Sequence, residues 1–246
     1  MKKARLDQML VERRLASDAE EAKRIVLAHE VKVDDAYATS AAQPVSADAD
    51  IQVRRPQRYV SRGGFKLEGA LRAFGQSVEG LRCIDIGSST GGFSDCLLQA
   101  KARQVTCVDV NYGQLAWKVR SDPRVSVFER TNIRTADPER LASPFDLLVA
   151  DLSFIGLASL APVFARLCAP GSVFIGLVKP QFESERGETD EAGYVADPLV
   201  RERTVREVEQ ALAEAGFEVT GVIESPLQGK RAGNVEYLIR AVFREG

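Results

Sequence analysis

The stretch Ile84-Asp85-Ile86-Gly87-Ser88-Ser89-Thr90-Gly91-Gly92 constrains this chain more than any other. An apolar run from Leu81 to Ile86 contains an acidic residue near its end, passes into small residues and opens onto a helical pattern starting near Phe93. Small residues let the backbone approach a ligand closely, and a helix start offers unpaired N–H groups at the positive end of its dipole. The rest of the chain repeats the alternation. Strands are expected at 81–86, 104–109, 125–129, 146–151, 172–178, 217–223 and 235–243, with helical patterns near 64–74, 92–101, 114–119, 157–168 and 199–215. Strands alternating with helices argue an α/β fold, a parallel sheet covered on both faces. The last two strands are joined by a loop, Glu224 to Asn234, with no helical pattern. They are therefore expected to pair as an antiparallel hairpin.

A chain of 246 residues with 45% apolar content can build one or two domains with a sizeable core. Its net charge of −2 excludes a polycation, so any nucleic-acid surface must be local. The segment 54–72 is such a place: Arg54, Arg55, Arg58, Arg62, Lys66 and Arg72 stand against Glu68 alone. Cys83, Cys96, Cys107 and Cys168 form no C-x-x-C pair and the one histidine is His29, so no metal site is expected. Cys83 and Cys107 fall in expected strands, where a buried reduced thiol is the default. No apolar run approaches the ~20 residues that span a bilayer, and Met1-Lys2-Lys3 leads into a polar helix rather than a signal region. The expected location is cytoplasmic.

Three segments emerge: residues 1–53 as a small unit, 54–60 as a basic linker, and 61–246 as the α/β domain. Leu6, Met9, Leu10 and Leu15, then Ala22, Ile25, Val26 and Leu27, give two short amphipathic helices, and 31–33 and 51–53 alternate as short strands. That order, with Arg5-Leu6-Asp7 at the front, resembles the RNA-binding module named after ribosomal protein S-four. The resemblance implies RNA contact and adds Arg5 to Arg54, Arg55, Arg58 and Arg62 as candidate RNA-binding residues. This chain departs from the module at Ser17-Asp18, where an arginine usually follows the serine, and at His29-Glu30, where the turn is usually on glycine. Residues 1–35 carry eight basic against eight acidic side chains. His29 reads as a turn residue.

In an open α/β sheet, ligands gather at the carboxyl ends of strands. Here those ends bring Asp85 and Gly87, then Asp109, then Thr131-Asn132-Ile133, then Asp151-Leu152-Ser153-Phe154, then Lys179-Pro180. One aspartate at a strand end could be a helix cap; acids at 85, 109 and 151 at successive ends favour a site. Asp-x-Gly with a later Gly-Gly is similar to the S-adenosylmethionine loop of Rossmann-like methyltransferases, and differs from the G-x-G-x-x-G of dinucleotide enzymes. That likeness implies a cofactor site of Asp85, Gly87, Ser88, Ser89, Gly91, Gly92 and Phe93. Asp109 would face the ribose diol, Asn132 and Ile133 would frame the adenine, and Asp151 would close the site. Lys179 follows an almost wholly apolar strand and could pair with Asp151. Asp151 is not followed by the Pro-Pro-Tyr/Phe of base-amine methylation, and no cysteine there could attack a base carbon. A lysine–carboxylate set suits a hydroxyl acceptor, a poor nucleophile needing alignment and help with its proton.

Ser61-Arg62-Gly63-Gly64-Phe65-Lys66-Leu67, Asp151-Leu152-Ser153-Phe154, Val178-Lys179-Pro180-Gln181-Phe182-Glu183 and Gly233-Asn234-Val235-Glu236-Tyr237-Leu238 together resemble the TlyA family over essentially the whole chain. Those proteins are ribosomal RNA 2′-O-methyltransferases that fuse an S-four-type module to an FtsJ/RrmJ-like catalytic domain, a Rossmann-like seven-stranded S-adenosylmethionine domain. The resemblance implies methylation of a cytidine ribose and places the family's Lys-Asp-Lys-Glu set on Lys66, Asp151, Lys179 and Glu236. It also implies ribosomal RNA or ribosomal subunits as partner and no membrane, in a monomer or weak dimer. The chain is short for the family at both ends, which leans toward large-subunit RNA. The segment Ser184 to Glu191 is acidic where relatives are basic and glycine-rich. Two other readings stand beside this one: a hemolysin, a name long attached to the family, and a ribosome-binding factor without methyl transfer.

Overall fold

A computed structural model describes residues 3–54, 58–229 and 232–244; Arg55, named above, lies outside them. The chain divides into two compact units, Met1–Arg58 and Tyr59–Gly246.

The first unit runs β1 (Lys3–Arg5), α1 (Leu6–Glu12), α2 (Ala19–Leu27), β2 (Val31–Val33), β3 (Ala36–Tyr37), β4 (Pro44–Ser46) and β5 (Ile51–Val53). β1 pairs with β4, and β2 lies between β3 and β5, all antiparallel. Leu6, Leu10, Ala22, Val26 and Val31 from the two helices and β2 form its core. Both departures from the S-four pattern have local work here. Asp18 caps α2 by accepting from Glu21 N at 2.8 Å, and the Glu21 carboxylate accepts from Ser17 N at 2.7 Å. His29 ends the same helix at φ +55, the left-handed position that glycine fills at least cost.

The second unit contains α3 (Gly63–Ala73), β6 (Arg82–Ile86), α4 (Gly92–Gln99), β7 (Gln104–Val108), α5 (Trp117–Arg120), β8 (Val125–Phe128) and β9 (Phe145–Ala150). A 3₁₀ turn (Ala158–Leu160), α6 (Ala161–Ala165), β10 (Cys168–Val178), α7 (Pro180–Glu183), α8 (Pro198–Glu214), β11 (Phe217–Glu224) and β12 (Tyr237–Phe243) complete it. Its seven strands order as β11-β12-β10-β9-β6-β7-β8. β6 to β10 are parallel, and β12 runs antiparallel between β10 and β11, so the expected hairpin is observed.

Alternate residues of the central strands feed two apolar layers. Cys83 and Leu147 face Leu67 of α3 and Leu97 of α4, while Ile84 and Leu148 face Phe164 of α6 and Leu212 of α8. The helix expected over 157–168 is interrupted: the 3₁₀ turn gives way to α6, with Pro162 in its first turn, and β10 has already begun at Cys168. The chain leaves β6 for β7 and β8, then returns to β9 on the other side of β6. That reversal makes the carboxyl ends of β6 and β9 the switch point where a crevice opens.

Candidate active site

Two cavities of about 510 Å³ each open at these strand ends. The first is lined by Gly87, Ser89, Asp109, Asn132, Ile133 and Asp151 among others, and its size suits a nucleoside-sized ligand, within the ~300–1,000 Å³ usual for such pockets. Asp109 is held by two turns: Oδ2 accepts from Ser89 N in the loop after β6 and Oδ1 from Asn111 N in its own turn, both at 2.7 Å. Each oxygen keeps a further lone pair for a diol. Gly87 sits at φ +81, and a Cβ there would press on Leu152 and the Asp151 carbonyl. Ile133 gives an apolar wall, buried at 7% exposure. The Asn132 Oδ1 is taken by Arg134 N at 3.0 Å, which turns its amino group to other partners. These features fit a cationic amino-acid nucleoside, with carboxylates near its charge and a diol acceptor at its ribose.

Five residues expected at this ligand are not among those lining the cavity: Asp85, Ser88, Gly91, Gly92 and Phe93. Asp85 is wholly buried behind it. Its Oδ2 accepts from Ser94 N at 2.9 Å and Ser94 Oγ at 2.6 Å, tying β6 to the first turn of α4, while Oδ1 has no partner. Burial first, then the nearby carboxylates of Asp151 and Asp109, push this carboxyl up to about 7 against the pull of Ser94. Ser88 is buried and its carbonyl accepts Gly91 N at 2.7 Å, closing the turn. Gly91, at φ +89, packs on Leu115 and Val119, and Phe93 belongs to the core. Gly92 does serve a close approach, but of protein: a Cβ there would overlap Ser61 Oγ and crowd Gly64 N at the start of α3. A Cβ on Gly64 would overlap the Tyr59 ring. The glycines thus let α3 lie against α4, and α3 carries Lys66.

The second cavity is lined by Lys66, Lys179, Gln181, Phe182, Asn234 and Glu236 among others. Lys66 Nζ is bonded to Glu236 Oε2, with the lysine side chain 10% and the glutamate 3% exposed. Lys179, at the end of β10, approaches Asp151 Oδ1 to 2.6 Å. That is a close ion contact without the angle of a hydrogen bond; the directed bond of Nζ goes to Ser153 Oγ at 3.4 Å. The four charged residues are therefore arranged as two ion pairs. Asp151 faces the first cavity and Lys179 the second, while Ser153 and Phe154 border both. Phe154 is 82% exposed at φ +69, with its ring 5.6 Å from that of Phe182.

Several residues whose part was not read from the sequence hold this arrangement. Glu183 Oε1 accepts Leu157 N at 2.5 Å, pinning α7 to the loop after β9, and burial raises its carboxyl above the usual range. Asn234 clamps the loop after α7, with Oδ1 accepting Val195 N at 2.9 Å and Nδ2 donating to Gly193 O at 2.8 Å. Asp95, 2% exposed, accepts from Val60 N at 2.9 Å and pairs with Lys118 at 2.9 Å. Only the sequence neighbours of Lys179 and Glu236 hinted at the first two. In the acidic loop Glu188 pairs with Arg203 at 2.5 Å and Asp190 Oδ1 accepts Ala192 N and Tyr194 N, while Glu185, Asp190 and Glu191 are exposed. Cys83, Cys107 and Cys168 are unbridged, and burial pushes their thiols up to about 12, which leaves them poor nucleophiles.

The arginines expected at RNA do not form one set. Arg5, Arg54, Arg58 and Arg62 are all exposed; Arg5 is tied to Asp7 at 2.6 Å and Arg62 donates to Gln228 O at 2.9 Å.

The model of FtsJ-like methyltransferases matches residues 59–243. The chain is 44% identical over 240 residues to the 16S/23S rRNA (cytidine-2′-O)-methyltransferase TlyA of Mycobacterium tuberculosis, covering 97% of this chain and 89% of that one. A solved structure described as a hemolysin of Streptococcus thermophilus superposes with a TM-score of 0.75 at 36% identity, covering all of this chain and 90% of that one. An S-adenosylmethionine-dependent methyltransferase of Mesorhizobium loti shares the fold at a TM-score of 0.51 and 19% identity, over 71% of this chain and 96% of that one.

Proposed function

The chain belongs to the FtsJ-like methyltransferase family, in its TlyA branch, and from that premise we propose that it methylates the ribose 2′-OH of a cytidine in ribosomal RNA. The observation that carries this reading is the Asp151–Lys179 pair, standing between two cavities that share Ser153 and Phe154 as a border. A donor site and an acceptor site meeting at a lysine is what transfer to a weakly nucleophilic hydroxyl requires.

S-adenosylmethionine, held by Asp109, Ile133 and the Gly87 turn, supplies the electrophilic methyl group when bound. Lys179 would contact the 2′-OH and polarise it; with one ammonium proton first lost to solvent, its amine would receive the hydroxyl proton as the O–C bond forms and the methyl group's bond to sulfur breaks. Asp151 holds that amine in place, and Ser153 gives it a second anchor. The buried Lys66–Glu236 pair is a fixed polar wall, and each partner retains capacity toward the ribose hydroxyls. Phe154 offers an exposed aromatic face at the mouth.

Among the described residues no helix is long and apolar enough to cross a membrane. The decisive experiment is mass mapping of ribose methylation in ribosomal RNA from cells with and without the gene, then treatment of the unmodified subunits with purified protein and S-adenosylmethionine. One cytidine 2′-O-methyl restored by the protein is expected, in large-subunit RNA; unchanged maps in both arms would remove the reading.

A further inference from the structure

The second cavity contains a polar group that nothing in the protein uses. Gln181, on α7 two residues beyond Lys179, lines that cavity, and its Oε1 is buried with no hydrogen-bond donor. The charged groups around it are already paired: Lys66 with Glu236, and Lys179 with Asp151. Asn234, on the same wall, spends both ends of its amide on Gly193 and Val195. A buried carbonyl oxygen left without a donor is disfavoured unless a ligand supplies one. Phe154 and Phe182 give the cavity an aromatic side, so a planar ligand that also brings an N–H would match it.

The base of the acceptor nucleotide is such a ligand. Cytosine presents a 4-amino donor beside the N3 acceptor, which matches a carboxamide O and N–H in two parallel bonds. Uracil presents the reverse, an acceptor at position 4 and a donor at N3. To serve uracil the amide must turn over, placing an amino group where the buried Oε1 now lies. We propose that Gln181 is the residue that selects cytidine at the acceptor site, with Oε1 accepting a hydrogen bond from the 4-amino group; this rests on the reading above that the acceptor is a nucleotide of ribosomal RNA. A good bidentate base contact discriminates by roughly ten- to hundredfold.

The test uses the full-length protein and ribosomal subunits lacking the modification, once the methylated position has been mapped. Single-turnover methylation is compared on subunits with the natural cytidine and on subunits carrying uridine there. Wild-type protein is expected to favour cytidine by about ten- to hundredfold. Gln181→Ala should collapse that ratio toward unity by slowing the cytidine reaction, with S-adenosylmethionine affinity by calorimetry unchanged. Gln181→Met keeps much of the side chain's size without the amide and should collapse the ratio likewise. The proposal is overturned if wild-type protein methylates both nucleotides equally, or if folded Gln181→Ala or folded Gln181→Met retains the wild-type ratio. Should Gln181→Ala not fold, the wild-type and Gln181→Met ratios decide. Absence of any 2′-O-methyl product from wild-type protein is a different result, and it strikes the proposed function itself.

Discussion

Asp85 lies near the end of β6 with Ser94 bonded to one oxygen and no partner on the other, and burial holds its carboxyl up at about 7. In the unfolded chain the same group ionises near its ordinary value of 3.8. Between those values the folded protein binds the extra proton, so this group's contribution is full below about pH 4 and is lost as pH rises to about 7. Urea unfolding at pH 5 and pH 8 is expected to show a drop of a few kcal/mol, and Asp85→Asn, which cannot ionise, should show less of it. Equal pH dependence in the two proteins would mean that Asp85 does not titrate in this window. Lys179 makes the sharper chemical prediction. A proton-transfer role is worth roughly 10²–10⁴-fold in rate, so Lys179→Ala should lose most turnover while melting temperature and cofactor affinity stay near wild type. Lys179→Arg should not recover it, because a guanidinium keeps its proton at any usable pH. Near-normal single-turnover rates in Lys179→Arg would leave Lys179 as a fixed positive charge and send the proton elsewhere.

Helices α3 and α4 approach closely because Gly92 and Gly64 leave room for Ser61 and the Tyr59 ring. Gly92→Ala puts a methyl group into that contact, an overpacking that typically costs about 1–3 kcal/mol. Since α3 carries Lys66 and the first cavity does not include Gly92, the variant is expected to melt lower and to lose kcat more than cofactor affinity. Calorimetry and single-turnover rates on the same preparation check this, and a selective loss of cofactor binding would return Gly92 to the ligand site. The same glycine shows what a sequence can and cannot tell. Gly91-Gly92 signals close approach, yet not whether ligand or helix approaches. The strands β6 to β12 are legible because a sheet covered on both faces writes itself as apolar runs, whereas β3 has two residues and α7 four, too few for any period. The Lys66–Glu236 pair spans 170 residues of sequence and was suggested only by resemblance. Gln181 and Asn234 matter through where β10 and β12 place them, which no local pattern encodes.

At the scale of the molecule, a chain of net charge −2 cannot hold a polyanion by its general field, so affinity for RNA has to come from a few placed cations. Some of the chain's cations already have partners within the protein. Arg62 is committed to the Gln228 carbonyl, Arg5 to Asp7, and Arg203 to Glu188 in the acidic loop. In that loop Glu188 is paired with Arg203, while Glu185, Asp190 and Glu191 stay exposed. Arg54 and Arg58 are exposed, and with Arg55 between them in sequence they make up the basic cluster that the sequence singles out. Each phosphate contact made by a basic side chain releases counterions and steepens the salt dependence of binding by ~0.7–0.9 log units per log unit of salt. Replacing Arg54, Arg55 and Arg58 together by Gln should therefore flatten the slope for ribosomal RNA by about two to three such units. Affinity for S-adenosylmethionine should not move, since the first cavity is built from residues 86–160. Binding measured by filter retention between low and moderate salt distinguishes the cases: a slope equal to wild type would make the cluster a solvated connector, and the phosphate contacts would then lie elsewhere.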